Sequence, residues 1–267
     1  MIKIDGEVVN VGSFPDGTAL IKYAPNAHQK LGHAKLSWYY ENDAEFLTLA
    51  YLVKHLRSHD VNDIYLYMPY IPNARQDRVK NPEDVFTLKY FADLLNSLNF
   101  TKIEVLDPHS NVSEALINNL DVISPQSYLL RILINLSAAG IKDLTMFYPD
   151  EGAMKRYSGL ISLHYAFGIK KRDWKTGNIL GLDVAGAVDQ IANKDILIVD
   201  DICSRGGTFL HSAKKLKELG ANDIYLYVSH CENTILEGEL LKDDLIKKVF
   251  TTDSIFTKEH KKIEVLK

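Results

Sequence analysis

The residue types best suited to chemistry lie together in Asp195–Thr208, which reads Asp-Ile-Leu-Ile-Val-Asp-Asp-Ile-Cys-Ser-Arg-Gly-Gly-Thr. Asp200 and Asp201 are adjacent carboxylates, able to accept hydrogen bonds from the hydroxyls of a sugar. Ser204, Arg205, Gly206, Gly207 and Thr208 follow as a short loop, with hydroxyls on both sides of two glycines. Glycines let backbone N–H groups converge on an anion, and a helix start behind them adds a favourable dipole. A helical pattern does follow, with apolar residues at Leu210, Ala213 and Leu216. Ahead of the carboxylates, the β-branched run Ile196–Val199 predicts a buried parallel strand closed by the two aspartates. Strand, acidic pair and anion loop together describe a cradle for a ribose phosphate.

Other candidates end apolar runs elsewhere. Tyr70–Arg78 follows the predicted strand Ile64–Met68 directly and carries Arg75, Gln76, Asp77 and Arg78. The carboxyl end of a parallel strand is where α/β proteins bind ligands, and a guanidinium suits a polyphosphate. His109 follows the run Ile103–Leu106, and Asp150 follows Leu144–Tyr148. Lys170, Lys171 and Arg172 form a short basic run.

The elements that must position these residues alternate between strand and helix patterns. Helices are expected at about Asp43–Ser58, with Asp43 as cap, and at Phe86–Leu98 and Ser127–Ala138. Pro149–Ala153 reads as a loop. Alternation of this kind argues α/β architecture with largely parallel sheets. Asn62–Tyr67 recurs as Asn222–Tyr227, and Lys102–Leu106 recurs as Lys262–Leu266, both at a separation of 160 residues. The repeat predicts two halves, 1–124 and 125–267, divided near Ser124-Pro125. Only the second half carries the glycine loop; the first has Glu41-Asn42-Asp43 in its place.

Composition narrows the class. Apolar residues make up 46% and charged residues 25%, as in a soluble globular protein. A formal net charge of −4 makes no case for nucleic acid. Cys203, in the glycine loop, and Cys231 have no metal-ligand spacing and imply no disulfide framework. No apolar run is long enough to span a bilayer and no leader is evident, so the expected compartment is the cytoplasm.

Asp200–Thr208 resembles the 5-phosphoribosyl 1-diphosphate (PRPP) signature shared by type I phosphoribosyltransferases and PRPP synthetases. Tyr70–Arg78 separates the two, because it resembles the Pro-Tyr-x-x-x-Ala-Arg-Gln-Asp-Arg motif of the synthetases. Four further stretches agree in order. Phe14-Pro15-Asp16-Gly17 resembles the family's adenine-binding turn, contributed by a neighbouring subunit. Asp107-Pro108-His109 is similar to its Asp-Leu-His. Tyr148–Gly152 is similar to its Ser-Pro-Asp-x-Gly-Gly, and Lys170–Arg172 to the Lys-x-Arg of its flexible catalytic loop. Over nearly its whole length the sequence resembles the ribose-phosphate pyrophosphokinase (PRPP synthetase) family, as a short and divergent member.

The resemblance implies two tandem phosphoribosyltransferase-like domains, each a largely parallel sheet flanked by helices. It implies transfer of the β,γ-diphosphoryl group of ATP to the C1 hydroxyl of a 5-phosphorylated ribose. Lys170 and Arg172 would be catalytic, with Lys171 an alternative to Lys170. Phe14, Asp16, Gly17, Arg75, Gln76, Asp77 and Arg78 would bind ATP, and the Asp200–Thr208 residues the ribose phosphate. His109 and Asp150 would hold Mg²⁺. The expected assembly is a homo-oligomer, dimer or hexamer. The sequence departs from the family pattern at Thr18, where a glutamate is usual, and at Ala153, where a glycine is. The larger departure is Ser204-Arg205, where the family has Asp-Thr: an acid is lost and a cation gained. That exchange leaves two acceptors open, ribose 5-phosphate and a 5′-diphosphate ribose such as ADP-ribose. The alternatives to this activity are a phosphoribosyltransferase and a catalytically silent regulatory relative.

Overall fold

Alternating burial along short strands shows how the first part of the chain is built. The computed structural model describes residues 1–26, 29–172 and 179–267, with the backbone alone at 30, 170–172, 179 and 180. The chain divides into two units, Met1–Ser124 and Pro125–Lys267.

In the first unit, strands β1 (Ile2–Ile4), β2 (Glu7–Val8), β5 (His33–Trp38), β6 (Asp63–Tyr67), β7 (Lys102–Leu106) and β8 (Leu120–Ile123) form one sheet in the order β2-β1-β5-β6-β7-β8. From β5 to β8 the strands are parallel. Ala34, Leu36 and Trp38 of β5 and Ile64 and Leu66 of β6 are buried, while Lys35 and Tyr65 between them face solvent. The buried set packs with Leu49, Leu52, Val53 and Leu56 of α1 (Ala44–Arg57) and Leu88, Phe91 and Leu95 of α2 (Thr87–Asn96). Asp43 precedes α1 as expected but does not cap it. Its backbone is already helical, and its carboxylate accepts from the Tyr40 hydroxyl at 2.9 Å. Strands β3 (Val11–Ser13) and β4 (Ala19–Ile21) form a separate hairpin around the Phe14–Thr18 turn.

In the second unit the sheet order is β11-β10-β9-β12-β13-β14-β15, for β9 (Leu144–Tyr148), β10 (Tyr165–Arg172), β11 (Ile179–Gly186), β12 (Asp195–Cys203), β13 (Ile224–Cys231), β14 (Lys248–Thr252) and β15 (Ile263–Leu266). Among the described residues of this sheet, only the β10–β11 pair is antiparallel. β12 is apolar without alternation because both its faces are covered. Ile196 and Ile198 pack with Phe209, Ala213 and Leu216 of α6 (Gly207–Glu218). Leu197 and Val199 pack with Leu129 and Ile132 of α4 (Gln126–Ala138) and Ala153 and Tyr157 of α5 (Glu151–Tyr157).

Four further expectations change. The segment read as a Pro149–Ala153 loop is the start of α5, because Asp150 accepts the Ala153 N–H at 3.1 Å and caps the helix. β12 does not end at Val199 but runs through both aspartates to Cys203, held by β13 up to the pair Cys203↔Cys231. Cys203 is therefore a buried strand residue rather than a loop residue, and both thiols are free. Of the two sequence repeats, β6 and β13 are equivalent, each lying beside the strand whose helix leads into it. The second match aligns β7 with β15, one strand out of place, since β14 is the neighbour of β13. It reflects a shared Lys-Ile-Glu-Val-Leu strand sequence and not a shared position. α3 (Asn111–Leu116), β8, β11 and β14 are further elements absent from the expected set.

Candidate active site

Strand register brings the second unit's candidate residues to one edge of its sheet. Ile198 pairs with Phe147, and Tyr148 with Phe167. Two to three register steps on, Asp200 and Asp201 stand level with Pro149 and Asp150. β9 ends there, while β10 continues to Arg172, roughly 3.3 Å per residue beyond that edge. Lys170 pairs with Leu182 of β11 and Arg172 with Ile179, with a register shift between Lys171 and Arg172. The side chains of Lys170, Lys171 and Arg172 lie outside the described part of the structure.

As consecutive strand residues, Asp200 and Asp201 belong to opposite faces of the sheet. Asp201 is buried and pairs with Arg156 of α5 at 3.4 Å. Asp200 shares the parity of Ile196 and Ile198, the α6 side. Its carboxyl is held well above the ordinary 3.8 by burial, by the charge of Asp201 and, more weakly, by that of Asp150. Ionised Asp200 therefore opposes folding, and its neutral form contributes stability that is lost as pH rises through the elevated value. Asp200→Asn is expected to raise Tm at neutral pH, with the advantage shrinking as pH falls toward 3.8. Thermal scans across that range check this; a lower Tm for the variant at neutral pH would contradict it.

The loop after β12 is shaped by its glycines. Gly206 sits at φ +80°, in the left-handed region that favours glycine, and packs on Leu240. α6 begins at once, and no side chain caps it, so its first-turn N–H groups are directed at the loop's concavity. Thr208 is exposed in that first turn. Ser204 donates to the Glu232 carboxylate at 2.6 Å, and Thr234 donates to the same oxygen at 3.0 Å. Arg205 is exposed and pairs with Glu237 at 3.1 Å. Sequence reasoning missed Arg156, Glu232, Thr234 and Glu237. The signal available for Glu232 was its place just past the carboxyl end of the apolar run Ile224–Val228.

The first unit gathers its own set. In the loop after β6, Gln76 accepts from the Thr87 hydroxyl at 2.9 Å. Asp77 is buried and takes a two-pronged contact from Arg78, at 2.7 and 3.0 Å. That guanidinium holds the Asp77 carboxyl below its ordinary range, and the nearby Ser110 and His109 add to the effect. The loop residues and the end of β7, with Asp107 at φ +41° and half-buried His109, are thus neighbours. Arg75 and Arg78 are exposed. In the hairpin, Asp16 accepts from the Thr18 N–H at 3.0 Å and from its hydroxyl at 2.7 Å, which lowers its pKa, and Gly17 takes φ +84°. Thr18 thus stabilises the turn in which it replaces a glutamate. Phe14 is 49% exposed.

Comparison with known proteins places this arrangement. No family model matches the chain. A ribose-phosphate pyrophosphokinase of Mycoplasma pneumoniae is 26% identical over 263 residues, covering 95% of this chain and 78% of that protein. One of Bacillus subtilis is 28% identical over 228 residues, covering 83% of this chain and 69% of the relative. Over nearly its whole length the chain is similar to ribose-phosphate pyrophosphokinases. The crystal structure of phosphoribosylpyrophosphate synthetase from Mycobacterium smegmatis matches 97% of this chain and 85% of its own, with TM-score 0.78 at 20% identity, which establishes the same fold. This similarity accounts for the two α/β units, and the protein is an enzyme, a diphosphotransferase. Among the described residues, no helix is long and apolar enough to cross a membrane.

Proposed function

We propose that this protein transfers the β,γ-diphosphoryl group of ATP to the C1 hydroxyl of a 5-phosphorylated ribose, releasing AMP. The observation that carries the reading is the β12–α6 junction. A left-handed glycine and an uncapped helix N-terminus there present N–H donors to an anion, directly after Asp200. The C1 oxygen attacks the β-phosphorus as the bond to the α-phosphate oxygen breaks, and the hydroxyl proton is released. Little covalent work falls to the protein, so its contribution is positioning and charge. Asp200 takes sugar hydroxyls, and the loop with Thr208 takes the 5-phosphate. Arg75 and Arg78 are suited to ATP phosphates, with Gln76 and the Phe14–Gly17 turn on its base. Lys170 and Arg172 supply positive charge to the transferring group. Release of AMP from ATP, measured with ribose 5-phosphate and with ADP-ribose, tests the reading. No AMP with either acceptor would overturn it.

The acidic edge of the second unit fits Mg²⁺. Asp200 is crowded by like charges, and a divalent cation relieves such crowding. Among the described residues, no three or more His, Cys, Asp or Glu converge on one metal position. Mg²⁺ does not need such a cage, because it takes one or two carboxylates with water and substrate phosphates. Asp150 and Asp200 would hold it. The resemblance also assigns His109, of the first unit, whose nitrogen is a less usual donor for this ion. When bound, the cation neutralises charge on the nucleotide phosphates.

Arg205 favours a second acceptor. Its pair with Glu237 is exposed on both sides, and pairs of that kind contribute little, so a phosphate can replace the carboxylate. Arg205→Thr is expected to lower kcat/KM for ADP-ribose about ten- to a hundredfold while sparing ribose 5-phosphate. An unchanged ratio between the two acceptors would leave ribose 5-phosphate as the substrate.

The hairpin supports a homo-oligomer. Val8, Val11, Phe14, Leu47 and Tyr51 are large apolar residues exposed around it, beside a cavity of about 680 Å³ between hairpin and α1. Exposed apolar residues of this kind suit an interface. Light scattering is expected to give a dimer or larger, and Phe14→Asp to weaken both assembly and ATP use. A fully active monomer would sink the idea.

A further inference from the structure

The loop that follows β12 has a hydrogen-bond arrangement its own sequence does not specify. A serine hydroxyl has a single proton to donate. Ser204 gives that proton to Glu232, 28 residues on, at 2.6 Å. Glu232 stands just past β13, where its N–H extends the strand ladder by donating to the Cys203 carbonyl at 2.8 Å. The same carboxylate oxygen takes the Thr234 hydroxyl at 3.0 Å. The stretch from Glu232 to Leu240 touches the loop at three more points. Arg205 pairs with Glu237, Gly206 packs on Leu240, and a Cβ at Gly238 would lie 2.0 Å from the Arg205 carbonyl oxygen. The loop is therefore moulded against a segment from the next strand, and the Glu232 carboxylate is the one charged hydrogen-bonding group fixing its first residue among the described contacts.

Position 204 is also where the sequence departs from the family's pattern by losing an acid. The structure returns a carboxylate to that spot from a different strand. We infer that Glu232 is a positioning residue for the acceptor: it seats the loop through Ser204, standing in for the acid absent at 204. Ser204, its proton committed, meets the ligand only as an acceptor. The 5-phosphate is then held by backbone N–H groups and Thr208, and Ser204 is matched to a hydroxyl of the acceptor. This inference rests on reading the loop as the ribose-phosphate site.

The test is an exchange. Glu232→Gln, Ser204→Asp and the double variant are compared with wild type by calorimetric binding of ribose 5-phosphate and ADP-ribose. KM for ATP and Tm are measured alongside. Glu232→Gln is expected to weaken the better-bound acceptor about tenfold, with KM for ATP within about twofold. Ser204→Asp sets two carboxylates against each other and should weaken it at least as much. The double variant restores one carboxylate, now at position 204 and facing a neutral amide at position 232, and should recover affinity to within about threefold of wild type. Unchanged affinity in Glu232→Gln overturns the inference. So does a double variant that fails to fold, or that binds no better than Ser204→Asp. A merely structural Glu232 would lower Tm, raise KM for ATP along with the loss of acceptor affinity, and would not be rescued. Wild type that binds acceptor yet releases no AMP overturns the proposed reaction and leaves this assignment to be decided by the binding constants. Wild type that binds neither acceptor overturns this assignment.

Discussion

Alanine at Lys170 or at Arg172 is expected to cut turnover by about two to three orders of magnitude, the scale on which removal of one preorganised charge-stabilising donor acts. The backbone places both residues on the part of β10 that extends past the end of β9, at the sheet edge where Asp150 and Asp200 stand. In the proposed reaction, charge supplied there acts mainly as the diphosphoryl group transfers. Interactions made only in the transition state lower kcat and kcat/KM together and leave ground-state binding nearly unchanged. KM for ATP should therefore move by less than about threefold. Lys171→Ala run in parallel distinguishes the two lysines, since one of the pair should be nearly silent. Steady-state kinetics with saturating acceptor is the measurement. Wild-type turnover in Lys170→Ala, Lys171→Ala and Arg172→Ala would remove this run from the mechanism.

The second large effect is expected from Gly238→Ala. The added Cβ would sit 2.0 Å from the Arg205 carbonyl oxygen and 2.9 Å from its carbonyl carbon. Both are backbone atoms, so no rotamer change relieves the clash and the loop itself must move. Overpacking of this kind costs about 1–3 kcal/mol, and displacement of the loop adds a loss of acceptor affinity of more than about tenfold. Gly207→Ala is the control. A Cβ there meets nothing within 4 Å, so the protein should keep its Tm. If the open space beside it is the proposed anion cradle, the new methyl should lower acceptor affinity. Tm and acceptor binding measured on both variants separate support of the loop from occupation of its cradle. A Gly238→Ala protein with wild-type Tm and affinity would show that the loop does not depend on this contact.

Short motifs were legible because their chemistry is local. The β-branched run before Asp200, the two glycines and the helix pattern behind them each declare a conformation within a few residues. Together they reveal strand, loop and helix without any distant partner. The resemblance at Arg75–Arg78 and Asp150 is likewise carried by residues a few positions apart. Asp150 was harder, because proline and glycine on either side read as a loop until its carboxylate is seen to accept the Ala153 N–H.

What the sequence determined by itself is the identity and order of these pieces, and the family they resemble. Tertiary structure decided which of their polar groups are already engaged. Asp200 and Asp201 are neighbours in sequence, but β12 continues through them and gives them opposite faces, with Arg156 claiming Asp201. Ser204 counts as a phosphate-loop hydroxyl until parallel register with β13 brings Glu232 beside it. Arg205 counts as a lone cation until Glu237 is found next to it. The second repeat matched a strand's sequence but not its place, because strand order is set by crossovers between distant segments. In each case the deciding contact joins residues on different elements. Such contacts depend on register and packing across the sheet, which spacing along one strand does not encode.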